Sequence, residues 1–407
     1  MSQDIGLVAL IVFIFQAVAG IPTENIVYPK IIQSRDLNGE KTLHIRRGLV
    51  LRLEKSRVFS ENFVFSEDDG VNRLDRLING TDLGKKFYQD QNHTSVLFID
   101  EEDGTVQVRG IVSNKFSIEP ISIIRRSEDE LIPHKLSELQ DFKNQLGDAS
   151  VEDLIHSRWD DGQASSEVTE RKVNKLPEKF VVEVRIFTDP ARSKNSTMDD
   201  LIEYFGLIMN RVNQFYEELT EPRVEFIVLG ITKLMDDSMA NIISDPQRNK
   251  TLINICGTLD PFHKYVKATL AQDSQDAVLY VSSLKTGRTD KKGKIIGGVD
   301  GCAYPCGVCS GNTVTVQSLQ RRQPGNWEPY LVAHELGHLI GMRHEGDKPY
   351  YSTPGNKGLR CGKKDGYILG SAQAGPSFSR CTRDQMKGCL MTKEQRCFEL
   401  TGGSKVI

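Results

Sequence analysis

Between about Asn25 and Pro133 the hydrophobic positions fall in short runs separated by turn residues, the pattern of strands rather than helices. The clearest pair is Ser95-Val-Leu-Phe-Ile-Asp100 and Thr105-Val-Gln-Val-Arg109, which predicts a hairpin turning on Asp103-Gly104. From Lys179 onward the pattern changes. Phe180 to Phe187 predicts a strand, and Leu201, Phe205, Ile208, Val212 and Phe215 give Met198 to Leu219 helical spacing. Pro222 stops that helix, Val224 to Ile231 predicts a second strand, Thr251 to Leu270 a helix, and Ala277 to Val281 a buried strand. Strands alternating with helices imply an α/β layer with some parallel pairing. Residues 136 to 178 are polar and charged, with Asp160 to Ser166 as a linker, so a hinge between two domains is expected there.

Charge narrows the function classes. The 407 residues carry a formal net charge of -3, and the short basic pairs are scattered, which gives a nucleic-acid role no support. An apolar run from Ile5 to Phe15 is too short to span a bilayer, and Ala17-Val-Ala19 fits a signal-peptidase site, although the leading region carries Asp4 and no Lys or Arg. The expectation is a signal peptide over 1–20, secretion, and no membrane anchor. All eight cysteines lie between Cys256 and Cys397, which suits disulfides in an exported C-terminal domain. Sequons at Asn79, Asn92, Asn195 and Asn249 are compatible with that route.

The candidate chemistry sits in Ala333-His-Glu-Leu-Gly-His-Leu-Ile-Gly-Met-Arg-His-Glu345. Trp327 to Leu339 predicts a helix after the breaker Pro324-Gly325. On it His334 and His338, four apart, project from one face and can bind one ion. Gly341 lets the chain leave through a left-handed conformation and bring His344 back as a third ligand. Three neutral imidazoles suit Zn2+ with a position left for water. Glu335, one step round the helix from His334, is then placed as general base toward that water. The other histidines, His44, His93, His134, His156 and His263, have no such company and carry no assigned role.

The extended motif resembles the metzincin metalloproteases. The upstream Cys302-Ala-Tyr-Pro-Cys-Gly-Val-Cys309, with Gly366-Tyr-Ile-Leu-Gly370 and Phe378-Ser-Arg-Cys381 downstream, resembles the reprolysin (adamalysin) family. Val27-Tyr-Pro-Lys-Ile, Phe116-Ser-Ile-Glu-Pro120 and Arg126 to Pro133 resemble propeptides of arthropod salivary and venom reprolysins, the tick type especially. The resemblance implies a zinc metalloendopeptidase made as a latent proenzyme, with a β-rich propeptide over 21–175 and an α/β metzincin catalytic domain over 176–407. That domain would have a twisted mixed sheet and an active-site helix. Extracellular proteins, such as matrix or clotting proteins of a host or prey, would be the substrates, and the propeptide the inhibitor. It also implies pairing of Cys309 with Cys389 or Cys397, and of Cys361 with Cys381.

Three positions depart from the family pattern. Glu345 follows the third histidine where Asp is usual, with Asp347 two residues on. Leu369 occupies the place of the methionine beneath the zinc ligands, with Met391 as the other candidate. The propeptide has no cysteine, so latency would need another ligand or bulk. The spacing Cys302, Cys306, Cys309 also matches an iron–sulfur pattern, which an oxidising exterior disfavours. A non-enzymatic zinc-holding or integrin-binding protein is the competing reading. The intact Glu335 argues against the first form, and the lack of R-G-D against the second.

Overall fold

A computed structural model describes residues 25–33, 40–102, 105–121, 131–139, 175–270, 275–321, 323–347, 366–370 and 375–400, with residues 349, 353 and 362. The apolar leader, the Asp103-Gly104 turn, most of Arg126 to Pro133, the linker at 160–166 and Cys361 lie outside the described residues, wholly or in part. The described residues form two compact units, one from those within 1–54 and 88–139, the other from those within 55–87 and 140–407.

The first unit is a nine-stranded sheet. In spatial order its strands are Ile26–Val27, His134–Glu138, Phe116–Pro120, Thr105–Val112, Ser95–Glu102, Phe87–Asp90, Leu49–Lys55, Lys41–Arg46 and Lys30–Gln33. The expected hairpin is there, pairing Ile99 with Val108 and Glu102 with Thr105. Leu43, Leu51, Leu97, Ile99, Val108 and Leu136 bury one side of it. The strand His134–Glu138 runs three residues into the stretch read as polar linker.

The second unit holds a seven-stranded mixed sheet. In chain order its strands are β1 (Phe59–Asp68), β2 (Arg73–Asn79), β3 (Lys179–Thr188), β4 (Arg223–Leu234), β5 (Ala277–Ser282), β6 (Gly301–Ala303) and β7 (Val314–Ser318). Their spatial order is β6-β7-β5-β3-β4-β1-β2. Neighbours from β7 through β5, β3 and β4 to β1 run parallel, and the two outermost strands are antiparallel. The parallel pairing expected from the alternating pattern is therefore the rule in this sheet. Its central strands Ala277–Ser282 and Val314–Ser318 are buried throughout, which is why Ala277-Val-Leu-Tyr-Val281 reads as a continuous apolar run.

Four main helices accompany the sheet: α1 (Met198–Tyr216), α2 (Ile255–Thr269), α3 (Trp327–Leu339) and α4 (Arg380–Leu390). Thr197 and Asp200 form a capping box that starts α1. The row Phe187, Tyr280 and Val316 packs with Leu259, Phe262 and Val266 of α2. That helix begins later than its pattern suggests. Lys250–Ile253 is a strand, and the Asn254 side chain accepts the Gly257 N–H to cap α2 only after it. Disulfides join Cys256 to Cys302, Cys306 to Cys389 and Cys309 to Cys397, and Cys381 is also disulfide-bonded. Cys309 thus takes the second of its two expected partners, and an iron–sulfur role for the Cys302, Cys306, Cys309 spacing has no free thiolates. No described helix is long and apolar enough to cross a membrane.

Candidate metal centre

The helix carrying the motif is fixed from several sides before any side chain reaches a metal. At its start the buried Glu328 carboxylate accepts the Gly325 N–H at 2.8 Å. In its middle the Tyr216 hydroxyl donates to the Ala333 carbonyl at 2.8 Å, tying α3 to α1. At its end the carbonyls that no helical N–H can reach are taken by the cysteine loop. Cys306 N–H donates to His338 O at 2.9 Å and Val308 N–H to Leu339 O at 3.0 Å. The segment Cys302 to Cys309 is therefore a C-terminal cap for the active helix.

Gly341 turns the chain as its place after the helix requires. Its φ is +104°, and a Cβ there would lie 2.2 Å from Cys389 Cβ. Only glycine satisfies both the left-handed backbone and the close approach of the Cys306–Cys389 bridge. The turn brings His344 back over α3, so that the ligating atoms of His334, His338 and His344 all lie within 4.8 Å of one another. Among the described residues this is the one such cluster of histidine, cysteine and acidic side chains.

Two of the rings have their tautomer set by backbone. His334 Nδ1 donates to Ile368 O at 2.7 Å and His338 Nδ1 to Met342 O at 2.8 Å. A carbonyl only accepts, so both Nδ1 atoms carry the hydrogen and both Nε2 atoms present lone pairs. Those lone pairs face each other at 3.1 Å, and His344 Nε2 lies 3.1 Å from His334 Nε2. Without a cation between them, two facing lone pairs repel. Imidazoles bound tetrahedrally at roughly 2.0–2.1 Å would hold their nitrogens about 3.3 Å apart. The donor set therefore fits zinc in chemistry and in spacing. Burial pushes the His334 imidazole down to about 3, helped by His344, and holds His338 well below the usual histidine range, so both rings are neutral.

Glu335 points away from this cluster's backbone supports. It is 4% exposed, its Oε2 has no hydrogen-bond partner, and burial raises its carboxyl to about 8. The carboxylate rests on the edge strand β6. A Cβ at Gly301 would stand 2.1 Å from Glu335 Oε1, so the absence of a side chain there is what gives Glu335 its place. Nothing in the sequence pattern marks Gly301 for this task.

The departures from the family pattern are placed as follows. Leu369 is fully buried under α3, where a Cβ on Gly337 would meet its Cδ2 at 3.2 Å. Met391 instead follows α4 as its C-cap. The Leu369 carbonyl accepts the Glu345 N–H at 2.8 Å, which links the residue after the third histidine to the residue beneath the helix. The Asp347 carboxylate faces His344, with Oδ2 3.8 Å from Nδ1. The preceding carbonyl, Ile368, accepts from both His334 and the Tyr330 hydroxyl. The short segment Tyr367 to Leu369 thus orients one ligand through backbone alone.

Three convergent imidazoles on and after one helix, with a buried carboxylate between the first two, define a metal-dependent hydrolase centre. The model of the reprolysin (M12B) family zinc metalloproteases matches residues 179–400, and the chain belongs to that family. It is a zinc metalloendopeptidase acting on protein substrates. It is similar to the venom metalloproteinase BumaMPs1 of Olivierus martensii, at 26% identity over 95% of each chain. It is also similar to the antarease-like venom metalloproteinase TtrivMP_A of Tityus trivittatus, 24% identical over 91% of this chain and 93% of the relative. A disintegrin and metalloproteinase with thrombospondin motifs 19 of Homo sapiens is 24% identical over 57% of this chain and 19% of its own length.

Proposed function

We propose that the chain is a secreted endopeptidase of extracellular proteins, made as a latent proenzyme with a signal peptide over 1–20, a propeptide over 21–175 and a catalytic domain over 176–407. In this reading His334, His338 and His344 hold zinc and Glu335 is the general base. The observation that carries it is the facing of unprotonated Nε2 atoms beside a buried carboxylate with an unpartnered oxygen. Zinc held there supplies a Lewis acid that polarises the scissile carbonyl and makes water easier to deprotonate. Glu335 accepts the water proton on its carboxylate and passes it to the leaving amine. Burial keeps His334 and His338 neutral, and their Nδ1–H bonds to backbone carbonyls fix the tautomer that leaves Nε2 free to ligate. The edge strand β6, next to Glu335, suits an extended peptide added as a further antiparallel strand.

Export and an extracellular substrate are supported by the resemblance to scorpion venom metalloproteinases over nearly the whole chain. Matrix or clotting proteins of a host or prey are the substrate class this favours. The N-terminal unit is taken as the inhibitor, acting without a cysteine. The test is cleavage of a protein substrate by the chain after removal of residues 21–175, with and without a chelator, beside Glu335→Ala. Chelator-sensitive cleavage that the variant lacks is the expected result. Equal cleavage by both proteins would overturn the zinc mechanism.

A further inference from the structure

The catalytic sheet is completed by residues from far upstream. Strands β1 and β2 form a hairpin that leaves the N-terminal sheet after Leu49–Lys55 and rejoins it at Phe87–Asp90, two strands that are neighbours there. The ends of this excursion meet, with Ser56 N–H donating to Phe87 O at 3.1 Å. The hairpin is thus an arm inserted between adjacent strands of one unit and built into the sheet of the other.

Its docking is extensive. β1 runs parallel to β4, pairing Val228 with Phe59 and Gly230 through Leu234 with Val64 through Asp68. Val228 N–H donates to Val58 O at 2.7 Å, Met235 N–H to Asp68 O at 2.8 Å, and the Tyr265 hydroxyl to Asp68 Oδ2 at 2.6 Å. The catalytic side is shaped to receive it. Gly206, in the middle of α1, lies under the rings of Phe59 and Phe87, and a Cβ there would stand 2.3 Å from Phe87 Cε1 and 2.9 Å from Phe59 Cζ. A Cβ on Gly230 would stand 2.3 Å from the Val64 carbonyl oxygen. Glycine inside a helix costs roughly 0.5–1 kcal/mol relative to alanine. Its presence at the socket offsets nothing within α1, but it makes room for the rings of Phe59 and Phe87, which pack edge to face at 5.3 Å between centroids, Phe59 also on Phe63 at 5.2 Å.

We propose that this arm is the anchor by which the propeptide stays bound to the protease after the connecting stretch has been cut, the β4 edge and the Gly206 socket being the docking site and residues 56–87 the occupant. The proposal rests on reading residues 21–175 as a propeptide. Strand addition supplies the main-chain hydrogen bonds, and Phe59 and Phe87 in the socket supply the side-chain selectivity. Loss of the arm also leaves the long β4 strand as a bare sheet edge, which disfavours release.

The test uses the full chain carrying Glu335→Ala, to prevent self-digestion, with a recognition site for an exogenous protease placed in 160–166. After cutting, gel filtration is expected to show both pieces eluting together. In a second chain residues 56–87 are replaced by a short turn, which the adjacency of Leu49–Lys55 and Phe87–Asp90 permits. Its pieces should separate, with the dissociation constant raised roughly 100-fold or more. Gly206→Leu, which fills the socket, should weaken association in the same direction while zinc content per catalytic piece stays at one. Unchanged affinity in the arm-less chain, or in a zinc-loaded Gly206→Leu chain, would overturn the proposal. The propeptide reading fails separately, if N-terminal sequencing of the secreted protein shows no end near residue 175.

Discussion

His134 and His338 lie in different units and share almost everything a ring can share. Both are buried, both are held neutral by burial, and both use Nδ1 to donate to a backbone carbonyl, Ile132 O at 2.9 Å and Met342 O at 2.8 Å. They differ at Nε2. In the N-terminal sheet, His134 Nε2 accepts the Val108 N–H at 2.9 Å and is satisfied. On the active helix, His338 Nε2 faces the lone pair of His334. Burial and a depressed pKa therefore mark both a structural histidine and a candidate ligand. The nitrogen left without a donor separates them.

The contrast can be broken most directly at the chemistry. Glu335→Gln should lower peptide-bond cleavage by about 10²–10⁴-fold, the usual worth of a positioned general base, while zinc content stays unchanged. A kcat/KM within threefold of wild type would remove Glu335 from that role. His338→Gln should lose zinc on dialysis against a weak chelator, whereas His134→Gln should keep it, as read by metal analysis. Zinc loss from the His134 variant would erase the distinction drawn above.

A smaller effect concerns pH. The His134 imidazole is held at about 4, below its ordinary 6.5, first by burial and then by the Arg109 charge. Because the folded-state pKa is depressed, the stability it contributes is complete above pH 6.5, declines as pH falls, and is gone by about pH 4. The total is on the order of 3 kcal/mol. Protonated Nε2 cannot accept from Val108, so protection of that amide against hydrogen exchange, corrected for the intrinsic rate, should fall across this window. The same fall in His134→Gln would assign it to another group. Smallest is Gly341→Ala, which should cost about 1–3 kcal/mol for a non-glycine residue at φ +104°, with a further loss from contact with Cys389. A thermal midpoint unchanged from wild type would mean that the turn tolerates a side chain.

Signals local to one element are legible in the sequence, and pairings between distant elements are not. The helix at Trp327–Leu339, the strands at 180–187 and 277–281, and the hairpin at 95–109 follow from periodicity within one element. α2 starts later than its pattern predicts because the apolar pair Leu252-Ile253 of the strand Lys250–Ile253 runs on into Ile255 of the helix, and a short apolar run next to a helix does not declare its own type. In the metal centre, the histidines and Gly341 were legible because their spacing is local to one helix and its exit. The carbonyls of Ile368 and Met342 and the bare Cα of Gly301 carry no side-chain signal, and Gly301 and Ile368 come from other elements. Pairing of β1 with β4 was invisible for the same reason. A strand's partner is not written in its own alternation.

That pairing also has a consequence in time. The arm is synthesised early, and its partner strand follows only after more than a third of the chain has been made. Closing so long a loop before parallel pairing can reward it is slow, and apolar residues such as Phe59, Phe63 and Phe65 stay uncovered during the wait. When β4 finally emerges, however, its edge partner is already present on the same molecule. A chain translated without the arm has no such partner, and begins its life with β4 open to any other chain.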